Sequence, residues 1–299
     1  MKKFLQKIIV YGLLLYALSF AFTKLIDASL RKSTFYTPLV AFNHFKYNNV
    51  ILGSSKALTG INTGMLSAKT KRKWHNLGMD DTPLEAHLLI LKILLAQQVH
   101  LDTVLLQYDG ISRKDDNGIA KLDNNDYRFF PLLGQVDAVD AYFKKKEKYQ
   151  LYKYVPILKY SNYNTELLYP GLYAIIKPGL RNRFDENGDM TYPNNASYNF
   201  PALDTTATKE LKMVDRELIE FFELCKQNNI TLLLYTAPVW NGKMVLNDSN
   251  GYIEKYNVHY FNASNSFNDH SLFYDVRHLN QSGKDSITSV LASFMLTNK

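Results

Sequence analysis

The sequence predicts an α/β fold, a three-layer sandwich around a mainly parallel sheet, carried behind one amino-terminal transmembrane helix. Three observations predict it. Short, continuously apolar segments (VIL at 50–52, TVLLQY at 103–108, ITLLLY at 230–235) have the texture of strands buried on both faces. Segments of helical character alternate with them, so helices should cover both sides of the sheet. The nineteen residues from Ile8 to Ile26 carry one charge, Lys24. At about 1.5 Å per residue they span roughly 28 Å, close to the hydrocarbon thickness of a bilayer.

Composition narrows the class. A chain of 299 residues with 46% hydrophobic content and one cysteine can bury a large core. It is not disordered, collagen-like or disulfide-stapled. The formal net charge of +7 is unevenly placed. Residues 1–32 hold Lys2, Lys3, Lys7, Lys24, Arg31 and Lys32 against Asp27 alone, which is +5 and leaves +2 for the other 267 residues. A nearly neutral body without a recognised nucleic-acid-binding motif argues against nucleic acid as a partner. Basic residues before the apolar run place residues 1–7 in the cytoplasm, 8–26 in the cytoplasmic membrane and the body outside it. Small-x-small sites at Ala17-Leu18-Ser19 and Ser19-Phe20-Ala21 leave a cleaved signal peptide as one alternative, which exports the body too, and a buried core helix is the other.

After a linker over 27–47, the domain over 48–299 reads element by element. Val50–Leu52 is a strand ending at Gly53-Ser54-Ser55, and Lys73–Leu77 is a second, closed by Gly78. Thr82-Pro83-Leu84-Glu85 has a capping-box pattern with proline at the first helical position, predicting a well-buried helix over Leu84–Gln97. Thr103–Tyr108 is the third strand. Residues 206–229 read as one long amphipathic helix, with Cys225 as a small core residue. Ile230–Tyr235 and Val258–Phe261 are further strands, and a helix starting near Asn280 closes the chain. Five glycosylation sequons, beginning at Asn195, Asn229, Asn247, Asn262 and Asn280, read as chance in an Asn-rich chain.

Residues 111–200 break the alternation and read as an insertion or cap, mostly helical and then extended. They hold a lysine run (Lys144, Lys145, Lys146, Lys148) and tyrosines at 142, 149, 152, 154, 160, 163, 169 and 173. The tyrosines suit a partly wet interface between cap and core, with a sugar-stacking platform over a cleft as the alternative. The lysines suit a solvated face, or one toward anionic lipid or an acidic polymer. Asp185-Glu-Asn-Gly-Asp189 predicts a hairpin tip and lacks calcium-loop spacing.

Two motifs carry chemistry. Val50-Ile-Leu-Gly-Ser-Ser55 puts a serine at the carboxyl end of a strand, where open α/β sheets place their ligands. Leu272-Phe-Tyr-Asp-Val-Arg-His278-Leu-Asn280 spaces Asp275 and His278 three apart before the last helix. On a turn, that spacing lets a carboxylate hold the imidazole tautomer while the imidazole acts as base on a hydroxyl. Asn280 suits the N-cap of that helix. The histidines at 44, 75, 87, 100, 259, 270 and 278 show no ligand-like pairing, and no metal or cofactor is expected.

Strand-Gly-x-Ser near the start of the domain and Asp-x-x-His before its last helix resemble the SGNH/GDSL hydrolase superfamily. Gly-Ser-Ser with Phe-Tyr-Asp-x-x-His-Leu-Asn is most similar to its membrane-anchored branch, which includes alginate-acetylation-type and D-alanyl-lipoteichoic-acid transfer proteins. The resemblance covers roughly residues 48–110 and 230–297. It implies a flavodoxin-like strand order, with Ser55 as nucleophile, His278 as base and Asp275 orienting it. It also implies an oxyanion hole from the N–H groups of Ser55 and Gly78. Ser54 is the fallback nucleophile. The family's third block offers an Asn donor, whereas this chain has Leu106-Gln107-Tyr108-Asp109-Gly110; Gln107 or Asn76 would have to substitute. The implied function is serine-dependent O-acyl transfer to an envelope or exported polysaccharide, or ester hydrolysis. An acyl ester, a polysaccharide acceptor and a membrane acyl-donor protein are the implied partners. The alternative is an inactive binding or assembly protein of the same fold.

Overall fold

In a computed structural model the described residues are 1–32, 45–110, 126–156, 158–161, 176, 184–194, 198–204, 208–213 and 215–297. They fall into two units: residues 1–44 with 115–182, and residues 45–114 with 183–299.

The second unit holds the sheet. In chain order its elements are β1 (Asn49–Leu52), the helices Ser55–Gly60 and Thr63–Thr70, β2 (Trp74–Asn76), the helix Leu84–Ala96 and β3 (Thr103–Gln107). Then come β4 (Thr208–Lys212), the helix Arg216–Gln227, β5 (Thr231–Thr236), β6 (Lys243–Asn247), the short helix Tyr252–Lys255, β7 (His259–Asn262) and the helix Gln281–Thr297. The main sheet is parallel, in the order β2-β1-β3-β5-β7. Direction along the sheet reverses between β1 and β3, so a crevice opens there at the strands' carboxyl ends.

Register decides what each face buries. Ile51 pairs with Leu105, and Leu105 with Leu233. These residues share a face and join one core with Ala57, Ile61, Leu66, Ile287 and Leu291 of the flanking helices. Their strand neighbours alternate to the other face. There the helices Leu84–Ala96 and Arg216–Gln227 pack on each other, while Gln281–Thr297 packs on the two helices that follow β1. Every residue of β1, β2 and β3 is buried, which is why apolar runs and not alternation mark them.

Three expectations are corrected. The long helix over 206–229 is two elements, because Thr208–Lys212 pairs in parallel with Lys243–Asn247. Leu211 is that strand's one buried residue, so tertiary pairing outweighs the helical pattern. The capping box at Thr82 does not form: its hydroxyl donates to the Met79 carbonyl (2.6 Å) and meets His87 Nε2 (3.1 Å). The Asn-Gly turn at 187–188 exists, but no strands flank it among the described residues. Its job is to bury Asp189, which accepts from the Thr63 N–H (2.7 Å) and from Asn76 Nδ2 (3.0 Å). Lys284, also buried, lies 3.6 Å from the same carboxylate.

The first unit begins with α1 (Lys2–Lys32), long and apolar enough to cross a membrane. The helix continues past Ile26 into the stretch read as linker. The insertion divides: 115–182 groups with α1, and 183–200 with the sheet unit. Its described elements are two 3-10 turns (Asp126–Leu132 and Leu158–Tyr160) and the helices Asp137–Phe143, here α2, and Tyr149–Tyr154, here α3. Tyr152 and Tyr160 are buried; Tyr163, Tyr169 and Tyr173 lie outside the described residues.

Candidate active site

The amino-terminal half of the site is a sharp turn at the end of β1. Gly53 has φ +147°, and a Cβ there would stand 2.6 Å from the Gln107 Cβ. Only glycine lets β3 come this close while taking that conformation. Gln107 Oε1 accepts the Ser54 N–H (3.0 Å) and the Ser54 hydroxyl (2.8 Å). With Ser54 held to β3 by these two bonds, Ser55 opens the next helix, and both serines line the cleft.

The carboxyl-terminal half is a turn closed on itself. The Tyr274 N–H donates to the His278 carbonyl (2.8 Å), and Phe273 bridges Leu279. Asp275 Oδ1 accepts the N–H groups of Arg277 (2.7 Å) and His278 (2.9 Å). Asn280 caps the last helix through Gly283 N–H (3.1 Å) and donates to the Ser271 carbonyl (2.6 Å). A Cβ on Gly283 would sit 2.1 Å from the Leu272 carbonyl oxygen, so glycine is required where helix and loop touch.

These two halves bring Ser55, His278 and Asp275 together. Ser55 Oγ lies 2.8 Å from His278 Nε2, and His278 Nδ1 lies 2.9 Å and 3.0 Å from the two Asp275 oxygens. Partial burial pushes the Asp275 carboxyl up. The bonds from the His278 ring and from the Arg277 and His278 amides outweigh that and hold it below the ordinary carboxylate value. Tyr192 braces the imidazole: it stacks flat on Tyr274 (4.2 Å, 7°) and lies 5.5 Å from His278.

The expected oxyanion donors are placed differently. The Gly78 N–H donates to Asn76 Oδ1 (2.9 Å). Asn76 is fully buried, and its Nδ2 donates to the Ala57 carbonyl (2.9 Å) and to Asp189 (3.0 Å). Gln107 Nε2 is buried without a partner and opens on no solvent. The Ser55 N–H has no acceptor among the described residues.

Ser55 and His278 line a cleft of about 590 Å³ with Lys56, Asp109, Trp240 and Arg277 among its walls, a size common in ligand sites. Lys56 and Asp109 form an ion pair of 2.9 Å at its side. Sequence reasoning passed over this pair and Tyr192. Asp109 had a signal, a charge just past the end of a buried strand; Tyr192, far from both motifs in sequence, had none. No protein-family profile matches this chain, and no curated protein matches it either.

Proposed function

We propose that this chain is a membrane-anchored serine acyl-enzyme of SGNH-like fold, acting on ester-linked groups outside the cytoplasmic membrane. One observation carries the reading: the unbroken Ser55–His278–Asp275 chain, with 2.8 Å and 2.9 Å links, opening on a cleft. With Asp275 accepting the Nδ1–H, the Nε2 lone pair faces the Ser55 hydroxyl. As Ser55 Oγ attacks an ester carbonyl, its proton moves to Nε2. The tetrahedral oxyanion takes the Ser55 N–H, and collapse expels an alcohol that His278 protonates. His278 then deprotonates an acceptor hydroxyl, which takes the acyl group and returns Ser55 with its proton. A polysaccharide hydroxyl makes this O-acyl transfer; water makes it hydrolysis. Anchoring by α1, with Lys2, Lys3 and Lys7 cytoplasmic, favours transfer onto envelope or exported polymer, with a membrane acyl-donor protein supplying the ester.

A second reading, a binding or assembly protein without turnover, draws on the inward use of Gly78, Asn76 and Gln107. A fluorophosphonate probe separates the two. The acyl-enzyme reading expects wild type to label and Ser55→Ala to lose labelling by at least about 10³-fold; equal labelling sinks it. Transfer and hydrolysis then divide on the acyl content of the cell's exported polymer after gene deletion, which falls for a transferase and rises for an esterase.

A further inference from the structure

Within the first unit, the surface of α1 changes character at Phe22. From Phe4 to Phe22 its large apolar side chains are exposed, whereas beyond it one face, Thr23, Ile26, Asp27, Ser29 and Leu30, is buried and Lys24, Leu25 and Ala28 stay on the open side. The covering elements come from the insertion. Lys159 pairs with Asp27 at 2.8 Å and donates to the Phe130 carbonyl (3.1 Å), and the Tyr160 hydroxyl donates to Asp27. A second contact lies eleven residues earlier on α1, where the Tyr16 hydroxyl donates to the Tyr154 carbonyl (3.3 Å). Eleven helical residues cover about 16 Å. The insertion therefore meets α1 both at its carboxyl end and well inside its apolar span.

The helix that makes the inner contact, α3, is dressed for that position. Leu151, Tyr154 and Val155 are 48%, 60% and 43% exposed, an apolar patch on a six-residue helix and the residue that ends it, beside the bare apolar face of α1. The one cation in the body of α3, Lys153, is matched by Asp140 at 2.7 Å. On the preceding elbow Lys144, Lys145 and Lys148 are exposed and have no acidic partner among the described residues. Apolar side chains continuous with a membrane helix, with cations on the flanking turn, form the pattern of an interfacial anchor.

We propose that α3 lies embedded beside α1 in the leaflet nearest that helix's carboxyl end, with Leu151, Tyr154 and Val155 against acyl chains and Lys144, Lys145 and Lys148 at lipid phosphates. The insertion is thus a second membrane contact, and its occupant is the bilayer. This inference uses α1 as a membrane helix and nothing of the chemistry at Ser55.

The test uses the full chain in vesicles of phosphatidylcholine and phosphatidylglycerol containing no other protein. Single cysteines replace Tyr154, Leu14 on α1 or Glu254 on the exposed surface of the sheet unit, each labelled with an environment-sensitive fluorophore. Buried Cys225, whose thiol burial pushes up to about 12, stays unlabelled. The label at 154 should match that at 14, quenched by lipid-borne nitroxide and shielded from aqueous iodide, with 254 showing the reverse. Replacing Lys144, Lys145 and Lys148 by Gln should abolish an increase in lipid quenching at 154, about twofold, caused by phosphatidylglycerol. If 154 behaves like 254 while 14 is lipid-quenched, the inference fails alone and the patch is left to a protein partner. If 14 is also open to iodide, α1 is not in the bilayer and the inference fails with it. A native near-UV spectrum for each labelled chain excludes misfolding as the source of either result.

Discussion

The two halves of the candidate site are built on opposite plans. The His278 half is local: Asp275 holds the ring and two backbone amides within three residues of itself. The Ser55 half is assembled across the sheet. It depends on Gln107 from β3 for the Gly53-Ser54 turn, and on Asn76 from β2 for the chain around Ala57 and Gly78. A local device can lose its chemistry and keep its shape, whereas a non-local one ties the position of the nucleophile to the stability of the fold.

The largest effect falls on the local half. Asp275→Asn keeps an oxygen for the Arg277 and His278 amides but can no longer fix the Nδ1–H tautomer. Fluorophosphonate labelling of Ser55 should slow by about 10³–10⁴-fold, with the urea midpoint unchanged. A matching fall in stability would show that the carboxylate holds the loop as well as the ring.

Acid tests the scaffold under the other half. His75 on β2 and His87 on the helix Leu84–Ala96 are both lowered to about 4 by burial, which Asp185 opposes at His75 and Thr82 and Asp109 oppose at His87. Between roughly pH 6.5 and 4 the unfolded chain binds protons that the folded chain refuses, so stability falls as pH falls. At pH 5 the loss is about 2 kcal/mol for each histidine relative to pH 7.5. Urea unfolding at several pH values should show this slope, and His87→Gln should remove about half of it. A flat profile would mean that neither histidine is held neutral.

Asn76→Ala comes next, at about 3 kcal/mol of stability. It strands the Gly78 N–H, the Ala57 carbonyl and one contact to buried Asp189. An oxyanion donor behaves otherwise: its loss costs about 10²–10³ in rate and little stability. Thermal melts and labelling rates measured together decide between these roles.

The same contrast explains what could be read from residues alone. Apolar runs marked β1, β3 and β5 because both faces of a parallel strand are covered, and the Asp-x-x-His turn was legible because the bonds that tie Asp275 to Arg277 and His278 lie within three residues. The strand at Thr208–Lys212 was not, since four of its five residues are exposed and its partner lies 35 positions on. Nor was the inward use of Asn76, which depends on Asp189 arriving from 113 residues away. Tyrosine content suggested a cap interface, but only the fold shows that Asp27 of the apolar helix is what Tyr160 meets.

Gln107 gives the smallest effect and the sharpest division. Its carbonyl oxygen holds Ser54 by two bonds while its amide nitrogen stays buried, so it acts on Ser55 only through the turn. Gln107→Leu removes the acceptor for both Ser54 groups, loosening the nucleophile without touching the reacting atoms. Labelling should slow by about tenfold, since a small misplacement of a reacting group costs one to two orders of magnitude. Gln107→Glu keeps an acceptor oxygen and should recover most of the rate. A loss of about 10²–10³ in both variants would instead put the Nε2 donor at the oxyanion. It would require the side chain to turn toward the cleft once an acyl group arrives, and the non-local half of the site would then do chemistry as well as hold shape.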